Sequence, residues 1–276
     1  MPMKQSFICL ATLTLLFAAC KKDDSSTTIT PTPVTKYLQS TIATNGDSTS
    51  IEFNMDKSVY RYLTFGENPS ATLPSYTSGM IVTIDFTTDL LLNNIYQRQG
   101  ITFNDLGLPS VISSYDSAGS LIGVDSLGYN TDKKLAMLYH AEKDAGTNQE
   151  KLLYSYEYTW DIKGNIIKRV MVAYALDNAS SITTYTYDDK INPAPKVLGY
   201  YLVKFNVEDL AGLLSANNLL TYASHNPFTD ISTTVNNTYQ YDADDYPAVM
   251  TLRTTTMKGN QAAVTDSVVM QAHYGK

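Results

Sequence analysis

The chain has 276 residues, 43% of them hydrophobic, and a formal net charge of −7. That apolar fraction is enough for a packed core, and the acidic balance argues against nucleic acid as a partner and against electrostatic adhesion to anionic lipid. Both cysteines, Cys9 and Cys20, lie at the extreme N-terminus, which excludes a disulfide framework, a cysteine zinc site and a cysteine nucleophile from everything downstream.

Lys4, an apolar run from Phe7 to Phe17, and then Ala18-Ala19-Cys20 have the order of an export signal, with small residues ahead of the cleavage point. The run falls well short of the roughly 20 residues that a membrane-spanning helix needs. "LLFAAC" resembles the lipobox of bacterial lipoproteins, in which the cysteine is acylated and becomes the first mature residue. Phe17 departs from the pattern, standing where leucine is commonest. The following Lys21-Lys22-Asp23-Asp24 is similar to the short lysine-acidic-acidic signal of Bacteroidetes-type lipoproteins bound for the outer cell surface. The resemblance implies a signal peptide over 1–19, lipidation at Cys20 and an export signal at Lys22, Asp23 and Asp24. It also implies a protein held in the outer membrane by its acyl chains and facing the cell exterior. Removal of 1–19 takes away Lys4 and no acidic residue, so the mature chain is one charge more negative.

Residues 20–35 then read as the lipidated cysteine and a flexible tether. Ser, Thr and two prolines in "SSTTITPTPVT" keep that chain extended and helix-free. From Lys36 the composition changes. The chain's 21 tyrosines and many threonines suit a half-buried pleated surface, and 36–276 reads as a single β-rich, repeat-like domain. "STSIEFNM", "SVYRYLTF" and "GMIVTIDF" alternate as strands do, with turn residues between them.

A loose internal repeat follows: an aromatic, then Asp or Asn, a short turn usually holding Gly, then an apolar residue. It recurs at Phe103-Asn104, Tyr115-Asp116, Tyr129-Asn130, Trp160-Asp161, Tyr187-Asp188 and Tyr241-Asp242. Asp161 to Asp188 is 27 residues, and Asp188 to Asp242 is 54, twice that. Such spacing predicts successive hairpins pairing with their neighbours in an antiparallel meander. The unit is clearest in "LYSYEYTWDIKGNIIKR". Tyr154, Tyr156, Tyr158 and Trp160 share one face of a strand, and Ser155, Glu157 and Thr159 share the other. Asp161 suits the first position of a type I turn, and Gly164 the left-handed position that closes the hairpin through a bulge. Ile166 to Tyr174 is the predicted return strand. The aromatic row is expected to face the core; facing an open groove instead, it would be a ligand platform.

These units resemble the tyrosine-aspartate repeats of bacterial cell-surface proteins, and an uncharacterised domain family of Bacteroidetes-type lipoproteins built from them. "YTWDIKGNIIKR" and "YQYDADDYPAVMTL" carry the likeness, over about 100–276. Asp245 departs from it, standing where glycine is usual. The resemblance implies an all-β fold with one or two short helices, the meander forming a curved sheet or incomplete barrel. One helix is predicted from Val207 to Asn217, with Leu210, Leu213 and Leu214 at helical spacing, acidic Glu208 and Asp209 in its first turn, and Asn206 as its cap. It is expected to plug the concave side or one end of the sheet.

Catalytic signatures are missing. His140, His225 and His273 are far apart and in no ligand-like spacing, and no serine elbow, phosphate loop or dinucleotide fingerprint occurs. Asp242-Ala243-Asp244-Asp245 lacks the glycine and distal glutamate of a calcium loop, and turn chemistry accounts for its acids. No catalytic residue, metal or cofactor is assigned. The sequence favours a non-catalytic binding or interaction module for a glycan, peptide or lipid, with Tyr154, Tyr156, Tyr158 and Trp160 as the candidate ligand platform. The alternatives are a hydrolase of extracellular polymer and a structural subunit of an envelope complex.

Overall fold

The computed structural model describes residues 35–90, 93–143, 149–197, 199–206 and 209–275. Sixteen antiparallel strands follow one another around a ring: β1 (Tyr37–Ala43), β2 (Ser48–Phe53), β3 (Val59–Phe65), β4 (Ser70–Thr77), β5 (Met80–Thr87), β6 (Ile95–Phe103), β7 (Pro109–Asp116) and β8 (Leu121–Tyr129). The second half is β9 (Leu135–Lys143), β10 (Glu150–Trp160), β11 (Ile166–Ala173), β12 (Ala179–Ile191), β13 (Asn217–Asn226), β14 (Ile231–Tyr241), β15 (Pro247–Lys258) and β16 (Val264–Gly275). Each strand pairs with the next, and β16 returns to pair with β1, Tyr37 opposite Gly275 and Ala43 opposite Met270. The expected meander therefore goes beyond a curved sheet and closes into a barrel, leaving no free edge.

The alternation of side chains decides which face is wet. Inward positions are apolar: Ile51, Val59, Ile84, Ile112, Leu138, Tyr156, Ile166 and Met171 are all buried. The outer face is mixed: Ser, Thr and paired charges stand beside exposed apolar residues such as Ile42, Ile122, Ile182 and Val264. Arg61 holds Glu52, and Arg98 holds Asp85, between adjacent strands, and the hydroxyls of Thr186 and Thr221 meet at 2.7 Å.

One end of the barrel gathers the repeat turns. Between β2 and β3, β6 and β7, β8 and β9, β10 and β11, and β14 and β15, the chain turns at Asn54, Asn104, Asn130, Asp161 and Asp242 with one hydrogen-bond pattern. The first residue's N–H donates to the fifth residue's carbonyl, and its own carbonyl accepts from the fourth residue's N–H. The Asn or Asp side chain reinforces the turn: Asp161 Oδ1 accepts from Asn165 N at 2.8 Å, and Asn104 Oδ1 from Leu106 N and Leu108 N. The fourth residue is left-handed each time: Lys57, Gly107, Lys133, Gly164 at φ 91° and Asp245 at φ 65°. Asp245 thus does the work of the missing glycine, as the short polar side chain allows. Two placements differ from the sequence expectation. The Asp116 turn lies at the opposite end of the barrel, between β7 and β8, and Asp188 is inside β12 rather than in a turn. The repeat also begins earlier than residue 100, since the Asn54 turn belongs to it.

The aromatic ahead of each turn has its own task. Tyr76, Tyr129, Trp160, Tyr187, Tyr239 and Tyr274 lie near the ends of β4, β8, β10, β12, β14 and β16. Each donates its polar tip, at 2.7–2.8 Å, to a carbonyl at or near the start of the preceding odd-numbered strand: Val59, Pro109, Leu135, Ile166, Leu219 and Pro247. The ring fills the interior and its tip locks one hairpin to the one before it. In β2 and β6 the corresponding residues are Phe53 and Phe103, which fill space but carry no donor.

At the same end, the link from β12 to β13 is the long segment 192–216. It contains the helices α1 (Tyr200–Val203) and α2 (Leu210–Leu214). The helix predicted over Val207–Asn217 appears as α2 and ends early, because Ser215 bends away as extended chain and Asn217 already belongs to β13, while Val207 and Glu208 lie outside the described residues. Asp209, not Asn206, takes the cap position, without a side-chain capping bond; α1 is the second of the one or two short helices expected, at a place the sequence did not indicate. The segment turns inward as a plug. Val197, Tyr200, Leu202, Val203, Leu210 and Ala211 join the barrel's core, and Lys204 reaches the far wall to donate to the Tyr62 hydroxyl at 3.0 Å. Gly199 is needed here, since its φ is +71° and an added Cβ would stand 2.6 Å from Ile81 Cδ1.

Candidate functional site

The four aromatics of β10 point inward, as the row's alternation implied. Tyr156 and Tyr158 are buried, Tyr154 and Trp160 partly so. Tyr156 lies between its neighbours Tyr154 and Tyr158 and carries the Arg169 guanidinium 4.8 Å from its ring centre. Trp160 is fixed by its bond to Leu135. The row is therefore a wall of the core rather than a platform open to solvent. Cys20, Lys22, Asp23 and Asp24 lie outside the described residues.

The one titratable cluster with a catalytic look sits on the interior face toward the opposite end. His140 stacks on Tyr154 at 4.6 Å, and its Nδ1 meets Asp125 Oδ1 at 2.8 Å, while Nε2 is 3.6 Å from Glu142 Oε1. Burial opposes the charged ring, but the hydrogen bond and charge of Asp125, helped by Glu142, outweigh it and raise its pKa. Both ring nitrogens face carboxylates, so neither is directed at a hydroxyl nucleophile. The arrangement favours the charged form of the ring and does not resemble a charge-transfer triad. His225 contacts Ser232 at 3.2 Å on the outer face.

The acids of the Asp242 turn are likewise accounted for. Lys36 Nζ bridges Asp242 and Asp244 at 2.7 and 2.5 Å, and Lys190 meets Asp245 at 3.0 Å. The first pair fastens the start of β1 to the β14–β15 turn, where the barrel closes. Among the described residues no cluster of His, Cys, Asp and Glu is placed to hold a metal ion.

One of several hollows among the described residues is a cavity of about 300 Å³ between the plug and the inner faces of β13, β14, β15, β16 and β1. Leu38, Leu219, Met250, Leu252 and Met270 line it from the barrel, with Tyr222, Tyr239 and Tyr274, and Leu213, Gly212 and Tyr200 line it from the plug. Its polar residues are few: Asn192, Asn218, Asn237 and Asp209. Most are already engaged. Asn192 Nδ2 donates to the carbonyls of Gly212 and Ser215 at 2.6 and 2.8 Å, and Asn218 donates its backbone and side-chain N–H groups to Asp188. Burial pushes the Tyr239 phenol up to about 12, so it stays protonated and donates to Leu219. An apolar hollow with a few fixed polar groups has the character of a small-molecule site.

None of the candidate aromatics of β10 lines this cavity. Its residues come from the last four strands, β1 and the plug, and only their inward alternation was visible in the sequence.

No protein-family model matches the chain, and no curated protein does. Among solved structures it is similar to a porin-like protein from Bacteroides uniformis, with 12% identity, a TM-score of 0.55, and 88% of this chain covering 100% of that one. A porin-like protein from Bacteroides vulgatus matches at 11% identity and a TM-score of 0.42, over 87% of this chain and 99% of that one. At such identity the first likeness speaks for a shared fold.

Proposed function

We propose that the protein is a non-catalytic binding module, tethered to the bacterial outer membrane through acylated Cys20, that holds a small, largely apolar molecule inside its barrel. The observation that carries this reading is the cavity beneath the plug. Its walls are mostly apolar side chains with a few hydrogen-bonding groups and one carboxylate, Asp209, and its volume lies at the lower end of the range for small-ligand sites. The lipobox-like "LLFAAC" supports the anchor, and the porin-like neighbour supports the envelope as its setting. The packed apolar interior and the charge pairs on the outer face support a barrel that stands in the aqueous space beside the membrane, with the acyl chains in lipid.

Two experiments test the reading. Cys20→Ser should release the protein from the membrane fraction; a variant still sedimenting with membranes would remove the anchor. Calorimetry of the soluble Cys20→Ser chain with octanol should show one-site binding with a negative heat-capacity change, the mark of apolar burial. Leu252→Trp, which fills the cavity, should weaken that binding at least tenfold while the barrel still melts cooperatively. Equal binding by that variant would place the ligand elsewhere.

A further inference from the structure

Resting on that reading, the charge around the cavity also says which head group its ligand carries. We infer that the site selects a cationic amphiphile, an ammonium group on an apolar body, with the ammonium held at the entrance by Asp209 and the body among the buried side chains.

Asp209 supplies the first half of the argument. It lines the cavity from the start of α2 and is exposed, so it belongs to the rim where the hollow meets solvent. Among the described residues that line the cavity it is the only charged one, and no Lys, Arg or His is present. Lys36 and Lys190, at this end of the barrel, hold Asp242, Asp244 and Asp245. A second carboxylate backs the wall: Asp188 stands just behind Asn218, which donates to it, as does the Tyr241 hydroxyl.

The tyrosines of the wall record the resulting field. Burial is the largest reason why the phenols of Tyr200, Tyr239 and Tyr274 are pushed up. In each a carboxylate adds to it: Asp209 for Tyr200, Asp188 for Tyr239 and Asp242 for Tyr274. Groups held back from negative charge by neighbouring acids mark a space at negative potential. The same rings suit a cation. Tyr239 and Tyr274 spend their hydroxyls on the carbonyls of Leu219 and Pro247, so ring is what they offer the cavity, and aromatic faces attract an ammonium group.

Solvation separates the head groups. A carboxylate entering this space would lose its water, find no cation and face negative charge, and each of those effects disfavours it. An alcohol would gain little beyond the burial of its chain. An ammonium at the rim keeps part of its water, as the head of a snorkelling lysine does, and gains both the carboxylate and the rings.

The test compares octylamine, octanol and octanoate on the full mature chain carrying Cys20→Ser, by calorimetry at neutral pH and low salt. Octylamine should bind about five- to tenfold more tightly than octanol, the worth of a partly wet ion pair with aromatic neighbours, and octanoate should bind more weakly than either. Asp209→Asn should bring octylamine to within about twofold of octanol, and Leu252→Trp should weaken both. The inference is overturned if octanol or octanoate equals octylamine, or if Asp209→Asn leaves the amine's advantage intact. It is overturned as well if Leu252→Trp spares octylamine, which would put the amine on the acidic outer surface. With octanol still bound, those outcomes keep the cavity as a site and remove only its selectivity. Failure of all three to bind would overturn the cavity reading itself. The comparison of head groups uses no substitution in the barrel, so misfolding of Asp209→Asn does not rescue the idea.

Discussion

Truncating Tyr156 to alanine is expected to destabilise the barrel by about 4 kcal/mol, the middle of the range for deleting a buried aromatic. Tyr156 is 2% exposed and stands at the centre of the β10 row, touching Tyr154 and Tyr158. Its loss would open a cavity and strip a buried guanidinium, that of Arg169, of the ring it lies against. Glu157, the next residue, faces outward and is exposed, so Glu157→Thr should change stability by no more than about 0.5 kcal/mol. Urea denaturation monitored by tyrosine fluorescence would show the contrast as a large and a negligible shift in midpoint. Equal effects from the two substitutions would mean that the strand's buried face has been misassigned.

The second large effect is expected at Asn165, which the hairpin motif alone would class as an ordinary turn residue. It is buried, and its side chain joins two segments. Nδ2 reaches Asn217 Oδ1 at 3.0 Å and Asp161 Oδ2 at 3.2 Å, and Oδ1 accepts from Asn217 N at 3.0 Å. Beside it, Ser215 Oγ accepts from Ile166 N and donates to the Tyr187 hydroxyl, each at 3.0 Å. The β10–β11 turn and the exit of the plug are thus held by one small network. Asn165→Ala would leave several of these groups buried without partners, at a cost of about 3 kcal/mol. Ser120, the equivalent position in the Asp116 turn, is exposed, and Ser120→Ala should stay within about 0.5 kcal/mol of the parent. Thermal unfolding of the two variants separates these outcomes, and a parent-like Asn165→Ala would show that the plug is held by its apolar side chains alone.

The pair of residues at 161 and 165 also marks the boundary of what the sequence discloses. Asp161 and Gly164 could be placed because turn chemistry is local: an Asp that accepts nearby N–H groups and a glycine that tolerates positive φ act within five residues. The inward face of Tyr154 to Trp160 followed from strand alternation in the same way. Asn165 could not be placed, because its partners are some fifty residues away in a segment whose path depends on the finished barrel. The same holds for the helix, whose leucine spacing located α2 at Leu210–Leu214 but not its early end, since the pull of β13 on Asn217 is a tertiary effect. Closure was out of reach for a further reason. Nothing in the alternation of β1 or β16 says that their edges meet, because an edge strand and a paired one read alike.

Asp188 shows how a repeat can mislead. Its tyrosine-aspartate pair and its spacing match the other units, yet the turn it should have opened has been replaced by the plug. Asp188 instead receives Asn218 and the hydroxyl of Tyr241, and the turn's Asx position passes to Asn192, whose Oδ1 accepts from Ala194 N. The cavity exists because of that replacement: an ordinary hairpin between β12 and β13 would leave no roof over the inner faces of β13 to β16.

The pairing of β1 with β16 makes the first and last strands of the domain mutual neighbours, and this governs the order in which the protein can be completed. Synthesis from the N-terminus delivers β1 first, and β1 must wait for every other strand before its edge is covered. Until then two backbone edges stand open to any other extended polypeptide, and the ring cannot be sealed by local contacts alone. Lys36, ready at the head of β1 to seize Asp242 and Asp244 once the β14–β15 turn has formed, is a latch set at the last joint to close.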